Sequence, residues 1–221
     1  MTVPGEKIRI FLVDDHPLVR SGLATLIVAQ PDMSVVGEAD DAQNALEGIK
    51  KTDPHIALVD ISLKGMDGME LIKHAKARFP SLAILVLSMH DESLYAERAI
   101  RAGAGGYIMK QEAAEKIIVA IRRILDGQTY LSDKMYSHLV KRMSGNAEPA
   151  EASPLSQLSD RELEIFNLMG KGRRIKDIAE DLSISAKTVE THCTHLRKKL
   201  NLKGSVELMQ FAIRWHHSHQ S

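Results

Sequence analysis

Along the first 130 residues, short apolar runs alternate with stretches in which apolar residues recur every three or four positions. The runs are Ile8–Val13, Ser34–Ala39, Ile56–Asp60, Ala83–Leu87 and Gly106–Met109. Short runs bounded by turn residues predict strands. Between them lie helical patterns. Leu18, Leu23, Leu26 and Ile27 follow the first run at near-helical spacing, and Ala42, Ala45, Leu46 and Ile49 share a face within Asp41–Lys51. Met69–Arg78, Ser93–Ala102 and Ala113–Asp126 complete the set, stopped by Pro80, Gly103 and Gly127. Strict βα alternation with short connections predicts a parallel sheet with helices on both faces. Ile56-Ala57-Leu58-Val59 shows no polar alternation, as expected of a strand buried on both sides.

The pattern changes after Leu131. Ser132–Met143 reads as one more helix, and 144–154 is small, polar and Pro-containing, as a flexible linker is. Beyond it the periodicity is helical only. Ser159-Asp160-Arg161-Glu162 is a capping box that opens a helix running to about Met169. Ile175–Leu182 is a short helix and Ser183-Ile184 a tight turn. Ser185 is expected to cap a helix to about Asn201, and Ser205 a last helix with an apolar face. The expected division is a domain at 1–130, a connecting helix and linker at 131–154, and an all-α domain at 155–221.

With 44% hydrophobic and 26% charged residues, the composition is that of a soluble globular protein. No apolar run approaches the roughly 20 residues that span a bilayer, and no secretory signal follows Met1. The one cysteine, Cys193, excludes an internal disulfide and a multi-cysteine metal site. These features predict a cytoplasmic protein with no membrane partner. Net charge is zero, but the chain from Pro154 onward carries eleven Lys/Arg against eight Asp/Glu, and the preceding part 18 against 21. That +3/−3 division fits a nucleic-acid-binding C-terminal part without requiring one.

In a doubly wound sheet, the carboxyl ends of the strands lie along one edge. This places Asp14, Asp15, Asp60, Ser88 and Lys110 on one rim. A lone Asp after a strand is ordinarily a turn or capping residue. Several carboxylates side by side persist mainly when a cation neutralises them, and few oxygen ligands with open positions suit Mg2+. Lys110 supplies a point charge for Asp60 or for a phosphoryl group on it, and Ser88 a hydroxyl donor. Together they make a site for phosphorylating Asp60. A dinucleotide site would need G-x-G-x-x-G where Asp14-Asp15-His16-Pro17 stands. An aspartate-based phosphohydrolase would carry a second carboxylate where Ser62 stands.

Asp14-Asp15, Asp60, Ser88 and Lys110 resemble the receiver domain of two-component response regulators, over roughly residues 7–127. The resemblance implies a flavodoxin-like, five-stranded, doubly wound sheet. It implies that Asp60 takes a phosphoryl group from a histidine kinase. Asp15, Asp60 and the backbone carbonyl of Ser62 would bind Mg2+, with Asp14 assisting through water. Ser88 and Tyr107 match the hydroxyl and aromatic of the family's switch, with Tyr107 expected to follow Ser88 inward. Lys64 and Gln111 stand where many members have proline, and Met89, next to the switch hydroxyl, is expected to narrow the entrance.

Ile175 to Leu200 reads as helix, turn, helix. On the second helix Val189, His192, Cys193, Leu196 and Leu200 share one face, with polar and basic residues toward the other, a pattern suited to a major groove. Leu158-Ser159-Asp160-Arg161-Glu162, Ile178-Ala179, Leu182-Ser183-Ile184-Ser185 and Thr188-Val189-Glu190-Thr191-His192 resemble the LuxR-type helix-turn-helix over 155–217. The whole chain is thus similar to a NarL/FixJ-type response regulator, a regulator rather than an enzyme. That implies Glu190, Thr191 and Thr194 at base edges, and Lys187, Lys198 and the Thr188 hydroxyl on phosphates. One small effector offers few base contacts, so a homodimer, formed on phosphorylation and reading an inverted repeat in double-stranded DNA, is expected. His192 and His195 flank Cys193, but too few further ligands are in view for a metal. Two rival readings are a constitutive DNA-binding protein whose receiver only docks partners, and an enzyme of small-molecule phosphoryl chemistry. The intact acidic set argues against the first and the helix-turn-helix against the second.

Overall fold

The computed structural model describes residues 7–63, 68–112, 114–137 and 154–218. The chain divides into two compact units, Met1–Asn146 and Ala147–Ser221. In the first, β1 (Ile8–Val13), α1 (Pro17–Val28), β2 (Met33–Ala39), α2 (Ala42–Thr52), β3 (Ile56–Asp60), α3 (Gly68–Arg78), β4 (Ala83–Ser88), α4 (Glu92–Ala102), β5 (Gly106–Met109) and α5 (Ala114–Leu125) alternate strictly. The five strands form one parallel sheet in the order β2-β1-β3-β4-β5. All the expected strands are present. The second starts one residue early, at Met33, and the fourth runs through Ser88.

The strand order reverses between β1 and β3, so a crevice opens at their carboxyl ends. Central β3 is buried at every position. Ile10, Leu12, Leu58, Leu85, Leu87 and Ile108 pack with Leu23 and Ile27 of α1 and Ile117, Ile121 and Ile124 of α5. Alternating neighbours such as Phe11, Ala57, Val59 and Val86 are buried on the opposite face. There the Phe11 ring fills space left by two missing side chains: a Cβ on Gly37 or Gly48 would come within 2.5 Å of it. One expectation fails on α1. Leu18 is 86% exposed. Five residues separate it from Leu23, about 140° around a helix, which turns it to solvent.

Helix starts are fixed by side chains. Asp41 caps α2, accepting the Asn44 N–H at 2.8 Å, and Asp91 caps α4, accepting the Ser93 N–H at 2.8 Å. The first residue of α3 abuts the end of β3, where a Cβ on Gly68 would lie 2.4 Å from the Ile61 Cα. After α5 the chain returns to the sheet edge, and residues 133–137 form a helical turn. The remainder of the expected connecting helix and linker, 138–153, lies outside the described residues.

The second unit opens with a 3-10 turn, Pro154–Gln157, followed by α6 (Asp160–Gly170), α7 (Ile175–Asp181), α8 (Ala186–Lys199) and α9 (Ser205–Ser218). The capping box forms: the Glu162 N–H donates to Ser159 Oγ, and the Ser159 N–H to the Glu162 carboxylate. Ser185 caps α8. Ser205 does not cap α9. It is the helix's first residue, and the Leu208 N–H donates to the Gly204 carbonyl at 3.1 Å. Leu163, Phe166, Ile178, Val189, Leu196 and Leu208 make the core of this unit. Among the described residues no helix is long and apolar enough to cross a membrane.

Candidate functional site

The rim of the sheet brings the predicted set together. Asp14 follows β1, Asp60 and Ser88 end β3 and β4, and Lys110 follows β5. The Lys110 ammonium lies 2.6 Å from Asp14 Oδ2 and 2.6 Å from Asp60 Oδ2, with both carboxylates 2% exposed. Two backbone amides complete the pairing: the His16 N–H donates to Asp14 Oδ1 at 2.9 Å and the Ser62 N–H to Asp60 Oδ1 at 3.0 Å. Burial pushes the Asp60 carboxyl above its ordinary range, against the pull of Lys110. Burial also works against the Lys110 charge, but Asp60 and Asp14 outweigh it and raise its pKa. Donor atoms of Asp14, Asp15, His16 and Asp60 lie within 4.8 Å of one another, so this donor set fits a small hard cation.

Ser88 is fully buried. Its Oγ accepts the His90 N–H at 3.0 Å, and the Tyr107 hydroxyl donates to the His90 carbonyl at 2.9 Å. Tyr107 is 1% exposed, so the aromatic expected to follow Ser88 inward already sits inside. Burial drives its phenol far above the ordinary pKa. Met89, next to the switch hydroxyl, is 54% exposed.

On α8 the expected faces form. Val189, Cys193 and Leu196 are buried, while Lys187, Thr188, Glu190, Thr191 and Lys198 are exposed. Thr194 is more committed than its spacing implies. Its hydroxyl donates to the Glu190 carbonyl at 3.0 Å and accepts from Arg197 at 3.1 Å, leaving chiefly its methyl for a partner.

Two families match this chain. Response regulator receiver domains match residues 10–122, and bacterial regulatory proteins of the luxR family match residues 156–212. The oxygen regulatory protein NreC of Staphylococcus epidermidis is 37% identical over 211 residues, covering 93% of this chain and 97% of its own length. The chain belongs to the response regulators with a LuxR-type DNA-binding domain.

NreC of Staphylococcus carnosus is 38% identical to this regulator over 210 residues, with the same coverage. Among solved structures, Salmonella enterica serovar Typhimurium RcsB, bound to the rprA promoter with the phosphomimetic BeF3-, superposes with a TM-score of 0.65 at 26% identity. That match covers 94% of the regulator and 98% of RcsB. A LuxR-family two-component response regulator from Aurantimonas is 35% identical over 63% of the chain, with a TM-score of 0.58. The regulator is thus a phosphorylation-dependent transcription regulator of a two-component system, built from a receiver and a LuxR-type DNA-binding domain.

Sequence pattern missed several residues that shape these sites. His90 is one: besides its backbone bonds, its Nε2 lies 3.0 Å from Ser62 Oγ and its ring stacks on Tyr95. Arg20 is another, donating to the Asp14 carbonyl at 2.6 Å. Glu162, read from the sequence only as part of a capping box, also brings a carboxylate to His192 and His195, with donor atoms within 4.8 Å. The regulator uses Glu162 otherwise. Its Oε2 accepts both the Ser159 N–H and the Lys199 ammonium at 2.7 Å. Burial opposes its charge, yet those two partners hold its carboxyl below the ordinary range. With Lys199 bonded and Arg161 near His192, this cluster is already neutralised by cations and disfavours another.

Proposed function

We propose that Asp60 is the phosphoacceptor, charged by a histidine kinase, and that its phosphorylation raises the affinity of the α8 surface for DNA. The observation that carries this reading is the Lys110 ammonium bridging two buried carboxylates at the switch point, with Ser88 alongside. The Asp60 carboxylate attacks the phosphorus of the donor's phosphohistidine, the P–N bond breaks, and the imidazole leaves with the bonding electrons. Lys110 works against the burial that disfavours the Asp60 charge. Asp14, Asp15, Asp60 and the backbone carbonyl of Ser62 would hold Mg2+, which neutralises phosphoryl oxygens when bound. Once Asp60 is phosphorylated, Lys110 is positioned to pair with the new phosphoryl charge, and Ser88 to donate to one of its oxygens.

The receiver corresponds to 1–130 and the effector to 155–221, joined through 131–154. RcsB dimers have been seen bound to two parallel DNAs, which supports reading an inverted repeat as a homodimer. The regulator acts in the cytoplasm, where its DNA is.

On DNA, Lys187, Lys198 and the Thr188 hydroxyl position α8 on phosphates, while Glu190, Thr191 and Thr194 face base edges. A carboxylate in the major groove accepts from cytosine N4, with roughly 1–3 kcal/mol of discrimination for a good contact. Binding-site selection tests this assignment. Glu190→Ala is expected to relax preference at one position per half-site with little change in salt dependence. Lys198→Ala is expected to weaken all sequences alike and lower the salt slope by about one unit. A parental logo from Glu190→Ala would remove Glu190 from the base-reading set.

A further inference from the structure

The chain that leaves α5 does not run straight away from the receiver. The Tyr130 N–H donates to the Gly105 carbonyl at 3.0 Å, and the Tyr107 N–H donates to the Tyr130 carbonyl at 2.9 Å. Tyr130 thereby pairs in parallel with Gly106 beside the last strand of the sheet. The approach needs glycine: a Cβ on Gly106 would lie 2.7 Å from the Tyr130 carbonyl oxygen. Two residues on, the Ser132 N–H donates to the Glu92 carboxylate at 2.9 Å. Ser132 then starts the helical turn at 133–137: its Oγ accepts the Met135 N–H at 3.1 Å, and Met135 is buried.

Both attachments end on residues next to the switch. Tyr107 holds Tyr130 by its backbone, and its hydroxyl holds the His90 carbonyl. Glu92 lies in the first turn of α4, directly after the capping residue Asp91. His90 precedes Asp91 and donates its N–H to Ser88 Oγ. A phosphoryl group that draws Ser88 Oγ toward Asp60 therefore draws the His90 peptide, and with it the start of α4. Position 92 moves with that turn, and whatever is bonded to it is carried along.

We infer that Glu92 is a positioning residue that ties the chain leading to the effector to the Ser88–Tyr107 switch, so that phosphorylation at Asp60 reaches DNA affinity through the Glu92–Ser132 hydrogen bond. The inference rests on Asp60 being the phosphoacceptor. A charge-assisted bond of this kind is strong enough to bias a two-state element, and coupling needs such a differential contact.

The test uses the full-length protein, acetyl phosphate with Mg2+, intact-mass measurement of phosphoryl uptake, and DNA affinity on a selected site in the same samples. Glu92→Ala is expected to take up phosphoryl as the parent does, while the gain in DNA affinity on phosphorylation falls by about tenfold. Glu92→Gln, which still offers an oxygen to Ser132 but without the charge, is expected to keep part of the gain. Ser132→Ala is expected to keep it too, because the donor is the backbone N–H. Glu92→Asp, one methylene shorter, keeps the acidic first turn but loses reach, and is expected to lose the gain as alanine does. It decides the matter where Glu92→Ala fails to fold. A full gain in the phosphorylated alanine or aspartate variant would overturn the inference. No uptake by the parent protein would instead overturn the phosphoacceptor assignment.

Discussion

Asp60→Asn is expected to take up no phosphoryl group from acetyl phosphate and Mg2+, where the parent protein gains one. The loss is complete in kind because the amide offers no anionic oxygen, while its size and shape preserve the site. The buried rim also makes a substitute acceptor difficult. Asp14 is buried and pairs with Lys110, and its other oxygen accepts the His16 N–H. Asp15 Oδ1 lies against the His16 ring. Intact-mass measurement reads the result directly, and equal labelling of Asp60→Asn would sink the assignment.

Lys110→Met is expected to have the largest effect on stability. Lys110 is the shared partner of Asp14 and Asp60, and breaking a buried ion pair by removing one partner costs about 3–5 kcal/mol, since it leaves charge uncompensated. The penalty depends on pH. Without the ammonium, burial, the largest influence on Asp60, pushes its folded-state pKa further above the unfolded value. A group raised in this way contributes stability below its unfolded pKa and loses it as pH rises through the folded one. The difference between variant and parent is therefore expected to be largest near neutrality and to shrink as pH falls and Asp60 protonates. Urea unfolding in Mg2+-free buffer at several pH values measures it. A constant difference across that range would show that Lys110 does not influence the charge state of Asp60.

The parts of this protein that were legible in the sequence are those written in local periodicity. Continuous apolar runs gave strands, and because successive strands end on one edge, Asp14, Asp60, Ser88 and Lys110 could be placed together before any contact was known. Capping motifs at Ser159 and Ser185 are equally local, and both form. What escaped depends on helical phase or on side chains reaching across loops. Leu18 is apolar but lies on the solvent side of α1. Ser205 has a capping residue's chemistry, yet the helix already includes it. Nothing in the spacing of His90 shows that its backbone serves both Ser88 and Tyr107. Glu92 and Ser132 stand 40 residues apart, and only the return of the chain to the sheet edge brings them together.

The measurement that bears most directly on the account is the affinity of the intact regulator for its selected DNA site before and after phosphoryl transfer. Tighter binding is expected after treatment with acetyl phosphate and Mg2+, in the roughly 5–150-fold range typical of coupling between sites, with no change in Asp60→Asn. Equal affinity for fully labelled and unlabelled protein would contradict it.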